Sequence, residues 1–221
     1  LLQELQALRA NFTAMLVHDL RSPVSVISGY VDILASGDDG PVSPEQREDL
    51  ESIGASCSQL TALIGEMLDL SKLEAGKKLQ LRLQSFDFGV LVADVCRRFA
   101  GAAAQRQIRL TRMEPSETCV MVGDARRLDR VLMNLLSNAM KFTPRGGRVE
   151  VALCTGPSEV EFSVSDSGPG IPLDELPLLF ELFSQTSSSL TTASPGSGLG
   201  LAICRHLVEA HAGHIAVESS P

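Results

Sequence analysis

The sequence predicts an α+β chain in two parts: an N-terminal helical hairpin that pairs with a second copy as a dimeric four-helix bundle, then an α/β sandwich. Three observations carry this. Apolar residues recur at threes and fours as far as Leu73, alternating apolar positions appear after Gly76, and glycines and prolines separate the periodic segments.

Residues 1–36 read as one helix, its stripe running through Leu1, Leu5, Leu8, Phe12, Met15, Leu16, Leu20, Val24, Ile27, Val31 and Leu34. Pro23 lies inside it. Proline lacks the N–H for the helical bond and crowds the carbonyl four residues back, that of Asp19, so a kink or loosened turn is expected beside His18. "GDDGPVSPEQ" ends the helix, and Ser43, Pro44 and Gln46 make a start signal for the next. Serine caps, proline suits the first helical position, and Gln46 completes a capping box. The second helix follows Leu50, Ile53, Leu60, Leu63, Ile64, Met67 and Leu70 to Leu73. Two such helices cannot bury both stripes alone, so pairing of hairpins is expected; the alternative is that the stripes cover the second part.

From residue 79 the pattern changes. Leu79, Leu81 and Leu83 alternate as a strand, and helices are expected over 88–104 and 125–142. Val149, Val151 and Leu153 make one strand and Val160, Phe162 and Val164 another, with "TGPSE" turning between them. A last helix over 199–211 precedes a strand beginning at Ile215–Val217. The expected division is 1–78 and 79–221.

Composition narrows the function. A net charge of −8 opposes a nucleic-acid or anionic-membrane surface. Five dispersed cysteines without C-x-x-C make neither a zinc site nor a disulfide framework and suit a reducing, cytoplasmic setting. No apolar run approaches a membrane span, and no signal peptide is recognisable. The chain begins in mid-pattern without an initiator methionine, so it is expected to be a piece of something longer, soluble or attached to the cytoplasmic side of a membrane.

Three stretches carry polar residues in informative places. In "NLLSNAMKF", Asn134, Asn138 and Lys141 share one helical face while Leu128, Leu132, Leu135, Leu136 and Ala139 face a core. Two carboxamides and an ammonium suit a magnesium ion with its phosphates, or form a plain solvated face. In "VSDSGPGI", Asp166 shares the phase of Val160, Phe162 and Val164, and an acid on a core-facing phase needs a partner. It suits an acceptor for a purine amino group; a simple Asp-Ser-Gly turn is the alternative. In "PGSGLGLAI", glycines open a helix whose bare amides attract phosphate, after a small polar stretch, "QTSSSLTTAS", suited to a lid.

Taken in order, "HDLRSP", "NLLSNAMKFTP", "DSGPGI", "LFELF" and "GSGLGLAI" resemble the H, N, first glycine, F and second glycine boxes of sensor histidine kinases. The resemblance covers essentially the whole chain and implies a dimerisation and phosphotransfer hairpin joined to a Bergerat-fold ATP-binding domain. It implies that His18 accepts the phosphoryl group and Asp19 orients the imidazole and takes its proton. It further implies that Asn138, with Asn134, holds Mg²⁺, that Lys141 meets phosphate, and that Phe142 packs near the base. Asp166 would bind the adenine amino group, with Gly168 and Gly170 shaping that wall. Phe180 and Phe183 would anchor the lid, and Gly196, Gly198 and Gly200 the phosphate side. The implied cofactors are ATP and Mg²⁺, and the implied partners a second copy of the chain and the receiver domain of a response regulator. Two positions depart from the family pattern: Ser22 replaces the usual Thr or Asn, which bears on phosphatase activity, and Gln185 replaces an arginine beyond the F box. The chain also stops at Pro221, before the family's closing glycine-containing strand. Two other readings are a nucleotide-binding scaffold without phosphotransfer and a gyrase- or chaperone-like ATPase. The complete polar set opposes the first, and the H box opposes the second.

Overall fold

The computed structural model describes residues 2–37, 40–74, 79–113, 118–156, 159–181, 184 and 198–220, without the side chains of 2–14, 16, 18, 59, 62, 63 and 66–74. It divides into two compact units, Leu1–Leu79 and Gln80–Pro221.

The first unit is the hairpin of α1 (Leu2–Ser36) and α2 (Pro44–Glu74). Helix α1 continues through Pro23, which is exposed. At the start of α2 the capping box closes in both directions: Gln46 N–H donates to Ser43 Oγ (3.2 Å) and Ser43 N–H donates to Gln46 Oε1 (2.9 Å). Inside the hairpin, Val17 and Val24 meet Cys57 and Ile64, and Val31 is buried one heptad further along. Only part of the expected stripe is covered. Leu20, Ile27 and Leu34, each three residues beyond a buried valine, are 48%, 48% and 46% exposed, as are Ile53 and Leu60 on α2. The remaining stripe positions, from Leu1 to Phe12, Leu16, Leu63, Met67, Leu70 and Leu73, have side chains outside the described residues.

The second unit contains β1 (Gln84–Asp87), α3 (Phe88–Gln105), β2 (Arg109–Arg112), β3 (Val120–Gly123), α4 (Ala125–Phe142), β4 (Arg148–Thr155), β5 (Val160–Asp166) and α5 (Gly200–Ala210). Strand β1 pairs antiparallel with β3; β2 runs parallel to β4, and β4 antiparallel to β5. Alternation in β4 seals the sheet: Val149, Val151 and Leu153 are buried against Val92, Val95, Leu132 and Leu136 of the helices. Aspartates cap both long helices, Asp87 accepting from the N–H groups of Gly89 and Val90, and Asp124 from that of Arg127.

Two expected strands do not form. Residues 79–83 are irregular because Arg82 N–H goes to Asp124 Oδ2 (3.0 Å) instead of a neighbouring strand, and Leu83 is exposed. Residues 215–217 are not a strand either; nearby, the contact made is a side-chain one, Ile171 N–H to Ser219 Oγ (2.9 Å). The short β2 and β3 carry too little alternation to stand out in the sequence.

Candidate active site

Helix α4 is the spine of the site. Its apolar face, Leu128, Val131, Leu132, Leu136, Ala139 and Met140, is buried, which leaves Asn134, Asn138 and Lys141 on the other side. Asn138 Nδ2 donates to Asn134 Oδ1 at 3.2 Å, so the two carboxamides are already oriented. Against them lies the first residue of α5. A Cβ on Gly200 would sit 2.8 Å from Asn134 Oδ1, closer than any side chain allows. Glycine lets the start of α5 lie against Asn134 without displacing its carboxamide. Leu199, in the cap position, has no side-chain acceptor for the first turn, and Gly198 takes φ +70°.

One turn along α4 a second cluster forms around the end of the helix. Lys141 Nζ stands 5.2 Å from the Phe142 ring centroid. The Asp166 carboxylate accepts from Gly168 N–H at 2.7 Å, and a Cβ on Gly168 would lie 2.6 Å from that carboxylate and 3.2 Å from the Phe142 carbonyl. Asp166 pairs with Val149 across the sheet, on the core-facing phase, yet it is exposed because the strand ends there. One carboxylate oxygen is held by the loop. Gly170 has φ +73°, a left-handed turn that suits glycine.

The structure thus brings together Asn134, Asn138 and Gly200, and, at the other end of the face, Lys141, Phe142, Asp166 and Gly168. Phe180 is half-buried beyond the 3₁₀ turn Leu176–Leu178, with no described contact joining it to either cluster. Phe183, Gln185, Gly196 and the stretch 185–194 lie outside the described residues, as does the His18 side chain. His18 belongs to α1, and Asp19 next to it is exposed.

Sequence reasoning missed the residues that brace the spine. Arg106, at the end of α3, donates to the carbonyls of Met140 and Thr143 (2.8 Å to the latter) and so satisfies the C-terminus of α4. Thr143 is fully buried and bonds Ala139 O at 2.7 Å; a Cβ on Gly147 would collide with its methyl group at 2.5 Å and with Ser167 Oγ at 2.7 Å. The Gly146-Gly147 pair was a visible signal for that close approach, whereas nothing marked Arg106. Asp124 is buried. Desolvation pushes its carboxyl up, but the N–H groups of Arg82 and Arg127 and the Arg127 charge outweigh this and hold it below the usual carboxylate range.

Which metal would this donor set suit? The amide oxygens of Asn134 and Asn138 are hard donors of the kind Mg²⁺ prefers, the Asn134 oxygen also accepting from Asn138 Nδ2.

Residues 8–76 match the His Kinase A (phospho-acceptor) domain, and residues 123–221 match the histidine kinase-, DNA gyrase B- and HSP90-like ATPase family. The chain is 38% identical over 93% of its length to hybrid signal transduction histidine kinase L of Dictyostelium discoideum, spanning 12% of that protein. It is 36% identical over 100% of its length to the circadian input-output histidine kinase CikA of Synechococcus elongatus, spanning 29% of it. It therefore covers less than a third of either relative. Among solved structures, full-length ShkA in complex with AMPPNP is similar over 95% of this chain and 44% of that one, with TM-score 0.71 and 28% identity. With a phosphoacceptor-type hairpin followed by an ATPase-type sandwich in family order, the chain belongs to the sensor histidine kinases of two-component systems.

Proposed function

We infer that this chain is an ATP-dependent protein-histidine kinase core that phosphorylates His18 and passes the phosphoryl group to an aspartate on a response regulator's receiver domain. The observation that carries it is the pairing of Asn134 with Asn138 beneath the glycine start of α5, which puts oxygen ligands and helix-end amides in one place. Asp166 would accept from the adenine amino group, Phe142 would lie by the base, and Lys141 would meet phosphate. Gly168 and Gly170 shape the base wall, and Gly196, Gly198 and Gly200 the phosphate side. Phe180 and Phe183 would anchor the lid. Asn138 and Asn134 would hold Mg²⁺, which supplies charge neutralisation on the phosphates when bound.

A neutral imidazole keeps a lone pair on one nitrogen at pH 7. That lone pair of His18 forms the N–P bond to the γ-phosphorus as the P–O bond to the departing ADP breaks, and Asp19 takes the proton from the other ring nitrogen. The half-exposed stripe of Leu20, Ile27 and Leu34 supports a homodimer, because a second hairpin would cover it. The domains are the hairpin, 1–78, and the catalytic unit, 79–221. The proposed reaction is cytoplasmic, where its ATP donor is found. Among the described residues no helix is long and apolar enough to cross a membrane.

The test is incubation with γ-labelled ATP. Acid-labile, base-stable label is expected on the wild type and none on His18→Gln, with AMPPNP affinity unchanged in that variant. Nucleotide binding without label in the wild type would instead establish the scaffold reading.

A further inference from the structure

We propose that His211 is a positioning residue for the nucleotide site, fixing the register of α5 along α4 through a neutral imidazole; this rests on the nucleotide reading above. Three contacts show that α5 runs back along α4. Gly200 meets Asn134, Cys204 Sγ approaches Val131 O at 3.9 Å, and His211, just past the end of α5, meets Asp124 at the start of α4. The first contact is the site itself. Between the ends, α5 carries the buried apolar Ile203 and Leu207 and α4 the buried Val131 and Leu132; beside the single long Cys204 contact, apolar packing of this kind fixes separation but resists sliding weakly because dispersion has no direction. A hydrogen bond has direction.

The His211 ring is bonded on both edges. Its Nδ1 lies 2.7 Å from Leu207 O, and its Nε2 lies 3.0 Å from the backbone N–H of Asp124. A carbonyl can only accept and an amide can only donate, so Nδ1 carries the proton and Nε2 the lone pair. The partner is itself immobile. The Asp124 carboxylate accepts from Arg82 N–H (3.0 Å) and Arg127 N–H (3.2 Å), and a Cβ on Gly123 would come within 3.3 Å of the His211 ring. A side chain at position 123 would therefore crowd the imidazole. Without its bond, α5 loses the one described directional tie at that end, and a shift along α4 moves Gly200 off Asn134.

The experiment uses the whole chain, with AMPPNP and magnesium as the probe. His211→Ala should bind AMPPNP about 3- to 10-fold more weakly, the effect of one ordinary hydrogen bond. His211→Gln, whose amide offers an acceptor at similar reach, should return to within about twofold of wild type. In the nucleotide-free protein, ¹⁵N spectra of the His211 imidazole should show Nδ1 protonated and Nε2 bare at pH 8. A His211→Ala variant that binds as wild type, a His211→Gln variant as weak as the alanine, or a protonated Nε2 would each overturn the proposal. If the alanine variant does not fold, the glutamine variant and the imidazole spectrum decide. A wild-type chain that does not bind AMPPNP overturns the nucleotide reading and this proposal together; normal binding with His211→Ala unaffected overturns this proposal alone.

Discussion

The two units solve the problem of burial differently. In the sandwich, α3, α4 and the β4 strand bury a continuous core, and Val149, Val151, Leu132 and Leu136 are all but inaccessible. In the hairpin, one heptad-spaced row is closed by the second helix, while the row three residues along remains half-exposed. A core that closes on itself supports a rigid site; a core left half open depends on association for its stability. The proposed acceptor and nucleotide residues thus lie on elements with opposite needs.

The hairpin half of this contrast breaks most readily. Ile27→Glu puts a charge into the row expected to meet the partner, and an uncompensated buried charge costs about 3–5 kcal/mol. Sedimentation should show monomers at micromolar concentration and a hairpin that melts earlier, with AMPPNP affinity unchanged. A variant that stays dimeric would show that the open row is not the interface.

A smaller effect is expected at the sandwich's contact point. In Gly200→Ala the atoms nearest the new methyl belong to the flexible end of Asn134, so Asn134 moves and the fold survives. Nucleotide affinity should fall by about 1–3 kcal/mol, the range for overpacking a tight contact, with the unfolding midpoint held or raised because alanine favours helix. Titration of AMPPNP alongside thermal unfolding reads both; unchanged affinity would place the nucleotide elsewhere.

The smallest effect distinguishes the caps of the two units. The Glu45 backbone N–H and then the Ser43 hydroxyl hold the Glu45 carboxyl below its ordinary value, but it is fully exposed, whereas Asp124 is buried and held low by the bonds already described. A depressed folded value means stability that is present above the unfolded carboxylate pKa and is lost as pH falls through the folded one. Urea midpoints from pH 7 down to pH 3 should therefore fall less in Asp124→Asn than in the wild type. Parallel curves would show that Asp124 contributes nothing to acid sensitivity.

Much of this was legible in the sequence, for identifiable reasons. The hairpin, α3, α4 and the β4–β5 pair announce themselves because their periodicity is long enough to exclude the alternative period. Strands β2 and β3 are four residues each, and β2 is half arginine. Leu79, Leu81 and Leu83 mislead because a strand needs partners for its N–H groups, and Arg82 gives its own to a side chain. The asparagine, aspartate and glycine positions were legible because their spacing is local. Arg106 and His211 were not. Each acts on main-chain groups far along the chain, which any sequence presents identically.

The sheet order also sets a timetable. Strands β4 and β5 close on a short turn, while β2 can join β4 only after the chain between residues 113 and 147 has been gathered, because a parallel pair cannot be reached by a hairpin. Sequence-distant pairings form slowly, and domains fold in the order in which they leave the ribosome. The hairpin, made of local contacts and synthesised first, is complete while β2 still waits for its neighbour. If a second hairpin is the partner, as proposed, it would be met by a chain whose proposed nucleotide site is still unassembled.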